Sequence, residues 1–165
     1  MLGTAHVALA IASLTLGAMM FLQQKGGQRH RLLGYLYAGA LLLVNSSALL
    51  VYEQSPGLGP FHILALVSLA TLSGGFIPAF LRQPADSWLD SHAYFMSWSY
   101  VGLAAAGAAQ MGTMLVGPGV SPVMIPTVLI VVVGALLIHS RVPEILARFA
   151  HGKKGEKVEE GRTPT

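Results

Sequence analysis

Cysteine is absent from the 165 residues. That excludes disulfides, thiolate metal sites, iron–sulfur clusters, covalently attached c-type haem and cysteine nucleophiles together. A bound metal or haem would have to be held by His, Met, Tyr or a carboxylate. Charge is also scarce. Asp, Glu, Lys and Arg make up 10% of the chain, against about 25% in an average soluble domain. A soluble globule of this length needs a polar coat that this composition cannot supply. A soluble enzyme, a nucleic-acid-binding module and a disordered chain are therefore excluded. The chain has no nucleophile constellation, no phosphate-binding loop and no paired carboxylates inside an apolar run.

What is abundant is apolar residues, at 53% with a mean hydropathy of +0.61. They fall into five runs of the length needed to cross about 30 Å of hydrocarbon. These are residues 2–22, 32–52, 60–81, 92–116 and 121–140. Membrane strands need only about 10 residues each and alternate in polarity, so the runs are helices. The reading is an all-α integral membrane protein of five transmembrane helices filling residues 1–140. Residues 141–150 are expected to form a short amphipathic juxtamembrane segment. Residues 151–165, rich in Gly and charge, are expected to be a disordered tail.

The cations orient the chain. Lys25, Arg29 and Arg31 lie in the first loop, Arg82 in the third, and Arg141, Arg148, Lys153, Lys154, Lys157 and Arg162 at the end, so all 10 fall on one side. The positive-inside rule places the N-terminus outside and the C-terminus in the cytoplasm of a bacterial inner membrane. The asymmetry also explains the basic pI near 9.5 without invoking nucleic acid. The first run has no basic segment before it and is not a signal peptide.

The first and third runs resemble each other. His6-Val7-Ala8-Leu9-Ala10-Ile11 matches His62-Ile63-Leu64-Ala65-Leu66-Val67, and Thr15-Leu16 matches Thr71-Leu72 at the same offset. Each leads to a loop, a His (His30 or His92) and a helix with Tyr in its first turns. This pattern predicts a four-helix core of two similar hairpins, related by an axis along the membrane normal, plus a fifth helix.

Four of the six histidines stand near the starts of four successive helices: His6, His30, His62 and His92. In an antiparallel bundle, helices one and three are diagonal partners, as are two and four. His6 with His62 and His30 with His92 thus make one diagonal pair near each membrane face. Paired imidazoles from facing helices are the ligand set of a bis-histidine haem b, and one or two haems would carry electrons across the bilayer. Arg29, Arg31, Arg82 and Lys25 could meet propionates at the basic face. At the other face only Asn45, Ser46, Ser47, Tyr52 and backbone amides are available. Tyr35 and Tyr100 are candidate hydrogen-bond donors beside the ligands. The competing use of the same four histidines is a zinc or copper site, which wants a third ligand. Glu53 or Met111 is the candidate near one pair, and Asp86 or Asp90 near the other. The bland alternative is a non-redox membrane protein without a cofactor, an accessory subunit or small-solute transporter whose histidines and Asn45 are packing or gating groups. His139 and His151 read as interfacial or solvated.

Other features concern packing. Gly34, Gly39, Gly74, Gly75, Gly102, Gly107 and Gly112 allow close helix approach. Trp88, Trp98 and most tyrosines fit an interfacial belt. Arg82 with Asp86 or Asp90 is a candidate loop ion pair. Asn45, deep in an apolar run, requires a partner.

His6, Lys25-Gly26, Arg29-His30-Arg31, Gly34-Tyr35, Tyr37 and Asn45, then Phe61-His62-Ile63-Leu64-Ala65, then His92 with Met96, Ser99, Tyr100 and Gly102, resemble the bacterial membrane proteins grouped as domain of unknown function 2306. The resemblance spans roughly residues 3 to 115. It implies the membrane fold and carries no activity. A looser similarity is to two-haem transmembrane b-type cytochromes, which bind haem with diagonal histidine pairs; here His30 lies at the loop edge and one face lacks cations. The leading expectation is a small b-type cytochrome-like electron carrier in the lipid bilayer, with a quinone or other electron-donor partner. A homo-oligomer is compatible with the Gly-rich faces.

Overall fold

A computed structural model describes residues 2–50 and 60–160. Five helices run in sequence: α1 (Leu2–Leu22), α2 (Gln28–Leu50), α3 (Pro60–Leu81), α4 (Trp88–Val116) and α5 (Val120–Glu160). No strand occurs among the described residues. The helical outcome follows from solvent. A chain that enters hydrocarbon must satisfy each backbone amide within its own segment, and a helix does this. Four helices, α1, α2, α3 and α5, are long and apolar enough to cross a membrane. The 29 residues of α4 provide the length, but Asp90, His92 and Gln110 dilute its apolarity. It is the most surrounded helix, packing on α1, α3 and α5.

Three boundaries differ from the apolar runs by a turn or more. α2 begins at Gln28 rather than Leu32, with the Arg31 amide already bonded to the Gly27 carbonyl. α4 begins at Trp88 rather than His92. The first turn of α2 is polar and that of α4 mixes Trp88 and Leu89 with Asp90 and Ser91, so hydropathy misses both although the backbone is helical. α5 does not stop at Ser140. It passes through the juxtamembrane segment and the first part of the tail to Glu160, where a separate segment and an unstructured tail were expected. Pro126 and Pro143 lie within it; each proline removes one backbone donor, and neither ends the helix. Residues 161–165 lie outside the described residues.

The four-helix core is a ring. α1 packs on α2, α2 on α3, α3 on α4, and α4 returns to α1. α2 and α4 are diagonal and meet through side chains only. Buried Tyr37, Ala38, Leu41, Val44, Leu72 and Leu103 form the centre of this ring. α5 lies outside it, on α4, sealed by Val101, Ile138 and Val142. Glycine sets two of the close approaches. A Cβ at Gly75 would fall 2.9 Å from the Met96 amide nitrogen. Gly112 lies against the carbonyl oxygen of Pro122, which Pro126, lacking an N–H four residues on, leaves without its usual helical donor.

The first and third loops return at one end of the bundle, and α5 brings its C-terminal half to the same end. There Phe149 lies 3.6 Å from the position of a Cβ on Gly26, whose φ of +86° favours glycine. All the described cations therefore gather at this end.

Candidate functional site

The diagonal pair of α2 and α4 converges. The rings of His30 and His92 have centres 6.2 Å apart and planes inclined by 84°. Two imidazoles on diagonal helices at this separation could hold one haem between them. A direct edge-to-face contact between rings also falls in this range. The nitrogen inventory adds to the distance. His92 Nδ1 lies 3.0 Å from the Gly75 carbonyl oxygen. A carbonyl only accepts, so Nδ1 carries the proton and Nε2 keeps its lone pair. This backbone-fixed tautomer is the usual preparation of a metal-binding histidine. His30 Nδ1 is buried without a hydrogen-bond partner among the described residues. A buried polar atom in that state is costly, and a ligand bond would relieve it.

One turn beyond each histidine stands a thioether. Gly34 of α2 faces the Met20 methyl of α1 at 3.7 Å, and Met96 of α4 covers Gly75 of α3. Methionine is unbranched and readily repacks. Further in, Tyr100 fills the space over Gly17 and meets the Phe21 ring edge-on at 5.2 Å.

Two turns above the histidines lies a second contact between α2 and α4. Tyr37, 2% exposed, has its hydroxyl 3.0 Å from Ser99 Oγ. Ser99 donates its one proton to the Met96 carbonyl at 2.8 Å, so Tyr37 is the donor. Toward the cation-free end come Asn45, which donates to Ser68 Oγ at 3.0 Å, and Ser47, which donates to the Val44 carbonyl at 2.8 Å. With the Ser47 proton committed, His6 Nδ1, 2.8 Å away, must donate to it. Ser13 is wholly buried on α1 and its hydroxyl has no partner among the described residues.

The expected site residues thus separate. His30 and His92 meet. His6 and His62 do not meet as rings: His6 is tied to Ser47 of α2, and His62 is buried on α3. Tyr35 is 53% exposed with its ring against Phe76, and Tyr100 turns to α1, so neither hydroxyl reaches the histidine pair. Asn45 finds its required partner on α3 rather than beside a ligand. Arg29, Arg31 and Arg82 are exposed at the cation-bearing end. Arg82 forms no ion pair with Asp86 or Asp90. Its φ of +53° ends α3, and the Gln83 amide closes back on the Pro78 carbonyl at 3.2 Å. The sole ion pair among the described residues joins exposed Arg141 and Glu144 at 3.8 Å. No group of three or more His, Asp or Glu that could hold a metal ion forms among the described residues, and Met111 is exposed. Tyr52 and Glu53 lie outside the described residues.

Sequence reasoning did not assign roles to Ser13, Ser68 or Ser99. One signal was available for the last: Ser99 follows His92 at the interval by which Tyr37 follows His30. Two grooves open elsewhere. One of about 450 Å³ lies along Met124, Ile125, Val128, Leu129 and Val132 of α5, and one of about 270 Å³ lies between α4 and α5. Neither includes a histidine.

A family model described as "Predicted membrane protein (DUF2306)" matches residues 3–147. The chain belongs to this family. The match reaches past the four-helix ring into α5, which the resemblance noted above did not include. No curated protein and no solved structure matches the chain. The family is a membrane family without a described activity, so chemistry has to be argued from the bundle itself.

Proposed function

We propose that the protein is a small electron carrier of the bacterial inner membrane that holds one haem b between His30 and His92. The observation that carries this reading is the convergence of two histidines from diagonal helices. One has its Nδ1 proton fixed on the Gly75 carbonyl and the other has a buried nitrogen without a partner. Haem held by two imidazoles supplies one-electron chemistry at a low-spin iron. The chain's own part is to present both imidazoles neutral, exclude water with Met20, Met96 and Tyr100, and offer Arg29 and Arg31 near the propionates. The positive-inside rule places this end at the cytoplasm. The lack of a matching His6–His62 contact limits the reading to one haem per chain.

A second reading is favoured by the close packing of Tyr100 on Gly17 and Met96 on Gly75. In it the bundle is a non-redox membrane protein whose polar layers fix helix register. The visible spectrum of protein purified from haem-replete cells separates the two. An electron carrier shows a Soret band, with α and β bands that sharpen on dithionite reduction, and a pyridine haemochrome of one haem per chain. His92→Ala and His30→Ala remove those bands, while His6→Ala leaves them. A colourless wild-type protein overturns the haem reading and leaves the second.

A further inference from the structure

The Gly26–Phe149 contact joins residues at opposite ends of the chain. It places the start of α2, with Lys25 and Arg29, beside the C-terminal half of α5, with Arg148. Arg29 and Arg148 are exposed, and neither has a carboxylate partner among the described residues. Lys25 is half-buried. Its ammonium donates to the Met20 carbonyl at the end of α1 and lies 5.5 Å from the Phe21 ring centre. That is a partly desolvated cation with a carbonyl and a ring for company and no counter-ion among the described residues. A buried charge is costly unless paired, and burial pushes the Lys25 ammonium below the ordinary lysine range. The amino end of α2 opens at the same corner and adds its positive dipole end. The one glutamate described on this stretch of α5, Glu144, is engaged by Arg141.

We propose that this corner, formed by Lys25, Arg29 and Arg148, binds the phosphate of an anionic phospholipid. Position supports a lipid over a soluble anion. The apolar span of α5 covers 30 residues, Val120–Phe149, or about 45 Å at 1.5 Å per residue. This exceeds the roughly 30 Å of hydrocarbon, so the end of that span reaches headgroup level. Phe149 and Phe21 then offer apolar surface next to the cations, as a lipid with acyl chains requires. The inference shares Arg29 with the haem reading but does not rest on it, since Lys25 and Arg148 have no part there.

The test is native mass spectrometry of the full chain in detergent, titrated with phosphatidylglycerol, phosphatidylcholine or inorganic phosphate. The expected result is retention of phosphatidylglycerol over phosphatidylcholine. Each cation near a membrane surface contributes enough attraction for about a fivefold change in affinity. Arg29→Gln with Arg148→Gln is therefore expected to weaken phosphatidylglycerol retention about thirtyfold, while Arg82→Gln, on the other loop, leaves it unchanged. All three side chains are exposed, so folding is preserved. Equal retention of the two lipids overturns the proposal, as does a double variant that binds like the wild type. Binding of inorganic phosphate with no preference between the lipids also overturns it, since the corner would then read a free anion.

Discussion

The Tyr37–Ser99 bond shows how proton accounting at single residues gives unequal consequences for its two partners. Ser99 spends its proton on the Met96 carbonyl, so Tyr37→Phe removes a donor and leaves Ser99 satisfied. Interhelical hydrogen bonds in membranes average about 0.6 kcal/mol, and a loss of that size is expected. Ser99→Ala instead leaves the buried tyrosine hydroxyl without an acceptor, at about 1–3 kcal/mol. Unfolding in mixed micelles would check the order, and a Tyr37→Phe variant less stable than Ser99→Ala would contradict the donor assignment. Lys25 offers a pH test. Its folded pKa lies below the ordinary 10.5 because burial desolvates the ammonium. The unfolded chain therefore binds more protons between the two values. The Lys25 contribution thus raises stability as pH climbs through that window. Lys25→Met is expected to flatten that rise in a pH series of unfolding midpoints. Part of this layer was legible in sequence. His30 and His92 stand near the starts of helices two and four, which are diagonal in an antiparallel bundle, and their rings meet. Tyr35 and Tyr100 were not legible as outward or α1-facing, because a helical face cannot be assigned from runs that are apolar all round.

At the scale of elements, helix contacts depend on which glycines are covered. Gly75 and Gly102 look alike in sequence, each a small residue within an apolar run. A Cβ on Gly75 would meet the Met96 backbone, whereas one on Gly102 would meet nothing within 4 Å. Gly75→Ala is therefore expected to cost about 1–3 kcal/mol through overpacking and to disturb the His92 bond to the Gly75 carbonyl. Gly102→Ala is expected to be neutral or slightly stabilising, since alanine favours helix over glycine. Circular dichroism melts of both variants would check this, and equal melts would contradict the packing. Spans were readable to within a turn wherever polarity changes abruptly, as at Leu22 and Leu81. The readable pattern failed at α2 and α4, whose first turns carry polar residues yet are helical, and at α5, which continues past its apolar part. Hydropathy reports the solvent a segment faces, and helices here extend beyond that solvent.

For the whole molecule, the ring of four helices is two neighbouring hairpins, α1 with α2 and α3 with α4, closed by α2 on α3 and α4 on α1. α5 breaks this pattern because it covers α4 and has no equivalent on α2. The all-cation end is testable as a unit. The chain has no cysteine, so single cysteines can be placed at will. A cysteine at Gln28 is expected to resist an impermeant maleimide in intact cells, and one at Gly119 to react. The reverse result would invert the orientation. What the sequence could not reveal at this scale is which polar groups share a depth, since that depends on how helices of different chain direction are staggered.

The diagonal contacts of the ring carry a consequence for symmetry. A ring assembled from two identical hairpins would carry the same side chain on both sides of its centre. The layer of His30 and His92 meets that condition. The layer above it does not, since the large Tyr37 faces the small Ser99. A single chain is free to set unequal side chains opposite each other, and two identical halves are not. The Tyr37–Ser99 layer therefore needs the two hairpins to differ.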